Sequence, residues 1–98
     1  RPAISHFETI ARYRGYSLVN VRIETGRTHQ IRVHAAFIKH PVAGDQLYGG
    51  AVRDLPLKRQ FLHARHLRFE LPSGAALDLE SPLPADLQEV LTLLEKQQ

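Results

Sequence analysis

The apolar residues of this chain repeat first at every second position, then at every third or fourth, and then pass through the same change again. Residues 4–13 carry β-branched and aromatic side chains in loose alternation, Arg14-Gly15 interrupts them, and residues 16–24 resume. In that second run Val19, Val21 and Ile23 share one face, and Asn20, Arg22 and Glu24 share the other. Two such runs around a short Gly-containing turn predict an antiparallel hairpin, which Thr25-Gly26 ends. From Thr28 the spacing becomes helical, with Ile31, Ala35 and Ile38 at i, i+4 and i+7 and Thr28 as the N-cap. His29, Arg32, Ala36 and Lys39 make the opposite stripe, spread over about 80° of the wheel. The helix is expected to end before Pro41, because proline pushes its predecessor out of the α region.

Residues 40–50, HPVAGDQLYGG, hold one Pro and three Gly and read as a shaped loop. Residues 51–60 read as polar, exposed chain. Leu67, Phe69 and Leu71 then alternate with Arg68 and Glu70, Pro72-Ser73-Gly74 makes a turn, and Leu77 and Leu79 alternate with Asp78 and Glu80. That is a second hairpin. Leu87, Val90, Leu91 and Leu94 fall at i, i+3, i+4 and i+7, an amphipathic helix near 84–95. Two hairpins, each followed by a helix, predict an α+β fold with a mostly antiparallel sheet and its helices on one face. No repeat or linker divides the 98 residues. A chain this short holds one modest core, burying about 65% of its unfolded surface.

Cys 0 removes disulfides, thiolate zinc sites and cysteine nucleophiles together. Met 0 includes position 1, so the chain is expected to be a piece of something longer. Without a run of roughly 18 apolar residues or a leader pattern, the expected setting is soluble and cytoplasmic, with no membrane partner. The net charge of +3 conceals a gradient. Through Arg68 there are twelve Lys and Arg against Glu8, Glu24, Asp45 and Asp54; from Phe69 onward Lys96 stands against six acids. Ten of the 13 bases are Arg, whose forked donors suit phosphate, so the basic two-thirds point to a polyanion partner such as nucleic acid. A solvated charged face is the plainer reading of the same gradient.

The densest chemistry lies in GRTHQIRVH at 26–34, where a strand ends and a helix begins with Arg, His and Gln in its first turns. Free N–H groups at a helix start favour anions, and two nearby Arg add to that; a surface helix start with solvated Arg is the alternative. His29 and His34 stand about 140° apart around a helix and share no face. His63 and His66 have ligand-like spacing but no Cys or carboxylate cluster beside them, so no metal site is expected. Asp45 is either a catalytic carboxylate or, more simply, an Asp that hydrogen-bonds its own turn. Tyr48 either stacks a base or packs its loop.

Read together, RTHQIRVH at 27–34, His40-Pro41, Gly44-Asp45, Tyr48-Gly49, Leu62-His63-Ala64 and Ser81-Pro82-Leu83-Pro84 resemble the RluA-type pseudouridine synthases over nearly the whole chain. The resemblance implies the catalytic fold of that family and an isomerase that turns uridine into pseudouridine in ribosomal or transfer RNA, with no cofactor and no metal. The family's nucleophile is an Asp in an HRLDxxTSG-like segment upstream of the GRTHQIR block, and an active-site Tyr lies between the two. Neither segment occurs in this sequence. Residues 1–98 therefore correspond to the C-terminal portion of the catalytic domain, expected to be inactive alone and to need the missing N-terminal half as a partner. By the same resemblance Arg32 pairs with the absent Asp, and Leu62 packs near the absent Tyr. Charge and position add Arg27, His29 and Lys39 as contacts to the RNA backbone. The competing expectation is a basic RNA-binding module without catalysis; a His-dependent phosphodiesterase using His29 or His63 has less behind it.

Overall fold

Strands β1 (Ser5–Tyr13) and β2 (Tyr16–Ile23) form the first hairpin of the computed structural model, which describes residues 3–24, 29–70, 72–74 and 76–97. Tyr13 pairs with Tyr16 across Arg14-Gly15, and Gly15 takes the left-handed φ of 79° that glycine adopts without steric cost. Between Thr9 and Ala11 the register shifts, leaving Ile10 out of the ladder. The expected apolar face is present: Ser5, Phe7 and Thr9 lie opposite Ile23, Val21 and Val19. It is only half covered, with Phe7 and Ile23 still 40% and 42% exposed.

Helix α1 (Gln30–Phe37) is shorter than its sequence spacing suggests. His29 occupies the N-cap without a capping side-chain bond, while the expected cap Thr28 lies outside the described residues. The helix stops before the proline acts on it. Lys39 turns left-handed at φ 66°, its N–H donates to the Ala36 carbonyl (3.0 Å), and the His40 N–H donates to the Ala35 carbonyl (2.9 Å). These two bonds make the Schellman closure, with Lys where glycine is usual. Ile38 and Lys39 are therefore not helical, Ile38 is half-exposed, and Gln30 and Ala35 are the residues α1 buries.

The 40–50 segment is the shaped loop its glycines predict. Gly44 N–H meets the Gly50 carbonyl and Gly50 N–H meets the Asp45 carbonyl, each at 2.6 Å. A Cβ on Gly44 would lie 2.3 Å from the Arg59 carbonyl oxygen, and one on Gly50 would lie 1.9 Å from that of Val42. Neither position has room for a side chain.

Residues 51–60 are mostly exposed chain, as expected, but Leu55 departs from that reading. Leu55 is buried and clusters with Val90 and Leu94, while Val52, Leu57, Phe61, Leu91, Tyr13 and Tyr16 pack around them. The segment is irregular, so its inward residues have no period to read. Helix α2 (Ala85–Lys96) buries Leu87, Val90 and Leu94 as its spacing predicts. Among the described residues it packs on this irregular segment and the tip of the first hairpin. The Tyr16 hydroxyl donates to Asp54 at 2.6 Å, which raises the phenol to about 12. Arg59 forks onto Asp86 in α2 at 2.9 and 3.0 Å; both are exposed, so solvent screens the pair and it adds little to stability.

Strands β3 (His66–Glu70) and β4 (Ala76–Glu80) form the second hairpin, with Leu67 opposite Leu79 and Phe69 opposite Leu77. Leu71 lies outside the described residues. The two hairpins do not merge into one sheet among the described residues, so the α+β class holds with two two-stranded sheets. No described helix is long and apolar enough to cross a membrane. The radius of gyration is 15.0 Å against about 13 Å for a closed domain of this length. An open groove of about 370 Å³ lies between β1 and α1, lined by Ile4, Phe7, His34, Phe37 and Ile38.

Packing separates two apolar positions sharply. In the 98-residue chain, Leu94→Ala removes a buried side chain and is expected to cost about 2–5 kcal/mol in urea unfolding. Phe37→Ser, at a position 85% exposed, should change stability by less than about 0.5 kcal/mol.

Candidate functional site

Helix α1 and the 40–50 loop meet through one ion pair. Arg32 lies in the first turn of α1, and its side chain extends to Asp45 in the loop. Nε donates to Oδ2 at 2.8 Å and Nη2 donates to Oδ1 at 2.9 Å, the two-pronged fork that guanidinium and carboxylate geometry allow. Oδ1 also accepts the N–H groups of Leu47 (3.1 Å) and Tyr48 (3.2 Å). Asp45 is fully buried, and the Arg32 side chain is 14% exposed. The Arg32 hydrogen bonds, helped by the Tyr48 and Leu47 N–H groups and by the Arg32 charge, hold the carboxyl down to about 2 against the opposing cost of burial.

Asp45 thus does hydrogen-bond its own turn, as the simpler sequence reading has it, and it ties α1 to that turn as well. Its burial and its four donors leave no oxygen to attack a substrate. As a nucleophile it is closed.

Arg32 is held on a second side. Its Cζ lies 5.2 Å from the centroid of the Tyr48 ring, within cation–π range. The Tyr48 hydroxyl lies 3.1 Å from Nδ1 of His29, and the two rings meet edge to face at 5.9 Å. His29 adopts the left-handed φ of 56°, a strained conformation for a residue with a side chain. Five N–H bonds belong to a guanidinium. Asp45 takes two, and the Nη1 end makes no hydrogen bond among the described residues. A fork fixed at one edge keeps donors at the other, and guanidinium donors suit anionic oxygens.

The structure brings His29 and Arg32 together through Tyr48, which here packs its loop. Lys39 stands beyond the end of α1, exposed, and leaves the helical stripe on which the sequence placed it. Arg27 lies outside the described residues. Leu62 is half-buried, one residue beyond Phe61, whose N–H donates to the Ala43 carbonyl at 2.7 Å and so lays this segment along the loop. Gln30 is the residue the sequence reading missed. It is buried, and its amide donates to the Ile4 carbonyl (3.0 Å) and Ser5 Oγ (3.1 Å), while Ser5 Oγ is 2.8 Å from Nδ1 of His34. A Gln in a first helical turn suits solvent equally well, so no sequence signal marks it. No group of three His, Cys, Asp or Glu gathers among the described residues, and His63 donates from Nε2 to the Ser81 carbonyl at 3.0 Å.

Residues 1–37 match the family described as RNA pseudouridylate synthase. The ribosomal large subunit pseudouridine synthase D of Haemophilus ducreyi is 44% identical, over 97% of this chain and 33% of that protein. The corresponding protein of Pasteurella multocida is 42% identical over the same shares. An uncharacterized RNA pseudouridine synthase of Chloroflexus aurantiacus is 48% identical, over 97% of this chain and 30% of that protein. The chain spans about a third of the length of the curated relatives it matches.

The depressed Asp45 carboxyl makes stability depend on pH in one direction. Its contribution is complete above about pH 4, where the unfolded carboxyl is also ionised, and is lost as pH falls toward 2. Urea unfolding from pH 7 to pH 2 should show about 2 kcal/mol of acid sensitivity in the native chain that Asp45→Asn removes. Identical acid limbs in the two proteins would contradict the pairing.

Proposed function

From the premise that by sequence this chain belongs to the RNA pseudouridine synthases, we propose that it supplies the arginine side of a uridine-isomerising active site. The observation that carries the reading is the half-open Arg32 fork. A carboxylate brought to its Nη1 end would be held ionised and oriented, since an opposite charge within about 4–6 Å favours the charged form. Asp45 is not that carboxylate. The nucleophilic aspartate is proposed to come from sequence outside these 98 residues, with residues 1–98 as the C-terminal portion of the catalytic domain. In the whole enzyme the target uridine of a ribosomal or transfer RNA is flipped from its stack. The aspartate attacks, the N-glycosidic bond breaks, the uracil turns and rejoins the ribose through C5 as the aspartate is released, and C5 gives up a proton while N1 takes one up.

Two further observations support the division. The hairpin face of Phe7, Val19 and Ile23 and the groove beside Phe37 and Ile38 remain exposed, as expected of surfaces that a further part of the domain covers. The chain is also less compact than a closed domain of its length. Leu62 is proposed to pack near the active-site tyrosine, and His29, with Arg27 and Lys39, to contact the RNA backbone in a cytoplasmic reaction. A binding module without catalysis is disfavoured by Arg32 itself. Phosphate contacts call for solvated cations at the surface, whereas this guanidinium is largely buried against a carboxylate.

In the full protein, Arg32→Ala should abolish pseudouridine formation while most RNA affinity is retained, as read by pseudouridine mapping and filter binding on the folded variant. The isolated 98-residue chain should form none. Near-normal turnover by Arg32→Ala would show that Arg32 has been given the wrong role, and pseudouridine formation by the isolated chain would show that it carries its own nucleophile.

A further inference from the structure

We propose that Asp45 is a positioning residue of the same active site, acting through Arg32 rather than on the RNA; this rests on the reading of Arg32 given above. The geometry is that of a fixed mount. Asp45 is seated in its turn by the Leu47 and Tyr48 N–H groups, at 3.1 and 3.2 Å. The turn is wound so tightly that Gly50 has no space for a Cβ against the Val42 carbonyl, and the 57–59 segment packs so closely on it that Gly44 has none either. From this seat both carboxylate oxygens grip the Nε–Nη2 edge of Arg32. The Tyr48 ring packs against the guanidinium, and His29 steadies the Tyr48 hydroxyl. A free arginine side chain samples many rotamers, and two-point attachment to a buried partner selects one. The consequence is an Nη1 edge aimed before the second carboxylate arrives, so no orientation is lost in the reacting complex. A catalytic group displaced by about 1 Å can cost about a hundredfold in rate.

The test uses the full protein and four forms: wild type, Asp45→Asn, Arg32→Lys and the double variant, assayed well below their melting temperatures. Asp45→Asn should lower kcat by about ten- to a hundredfold with KM changed by less than about threefold. Adding it to Arg32→Lys should cost little more, because lysine has no fork to aim. Near-normal kcat in Asp45→Asn beside a crippled Arg32→Lys would overturn the positioning role and leave the reading of Arg32 intact. An equal, additive loss in both backgrounds would overturn it too. Normal kcat in Arg32→Lys and also in Arg32→Ala would instead overturn the reading on which it rests. Should Asp45→Asn fail to fold, the wild-type protein still decides. Side-chain nitrogen NMR is then expected to resolve separate Nη1 and Nη2 signals for a locked Arg32, and one averaged signal would overturn the proposal.

Discussion

A buried carboxylate with four donors organises the middle of this chain. Asp45 alone would be costly to bury, since an unpaired charge in a dry site loses several kcal/mol of hydration. The Arg32 fork and two backbone N–H groups offset that loss, and they also determine where everything nearby must lie. The loop must curl tightly enough to present two N–H groups to one oxygen, which leaves no room for a Cβ at Gly50, and the 57–59 segment packed on it leaves none at Gly44. Helix α1 must begin early enough that Arg32 reaches the loop, which places His29 at its N-cap in a strained conformation. Strain of this kind persists where surrounding contacts over-determine it. Here the Tyr48 hydroxyl and ring provide those contacts.

Away from this junction the chain is held by a small core. Leu55, Val90 and Leu94 join α2 to the 51–60 segment and the hairpin tip, while α1 and the open end of the first hairpin keep a wide apolar border. The amide of Gln30 and the Ser5–His34 contact link α1 to the start of β1 with polar bonds. Such bonds fix direction more than they add stability, because each exchanges for a bond to water on unfolding. The result is an ion-pair junction beside exposed apolar surface.

What could be read from the sequence follows from periodicity. The first hairpin, its Arg14-Gly15 turn and α2 announce themselves because regular backbone repeats its inward positions. Leu55 was invisible because irregular backbone has no repeat, and the end of α1 was misplaced because a Lys in a Schellman turn carries none of the signal that Gly would. Arg32 is singled out only by the family resemblance of its block, not by any spacing within it. Its partner could not be read at all, because Asp45 lies thirteen positions away and only the tertiary fold makes them neighbours. Gln30 was hidden for the same reason. Polar residues reveal their helix face by what they touch, and touching is not periodic.

The central claim is that Arg32 serves two carboxylates at once, Asp45 at one edge and a nucleophile at the other. The most direct measurement is a crystal structure of the full protein bound to an RNA carrying a non-isomerisable uridine analogue. Arg32 should keep its fork on Asp45 near 2.8 and 2.9 Å while its Nη1 end meets a second carboxylate within hydrogen-bond reach. An Arg32 that has swung away from Asp45, or one with no second carboxylate beside it, would contradict the claim.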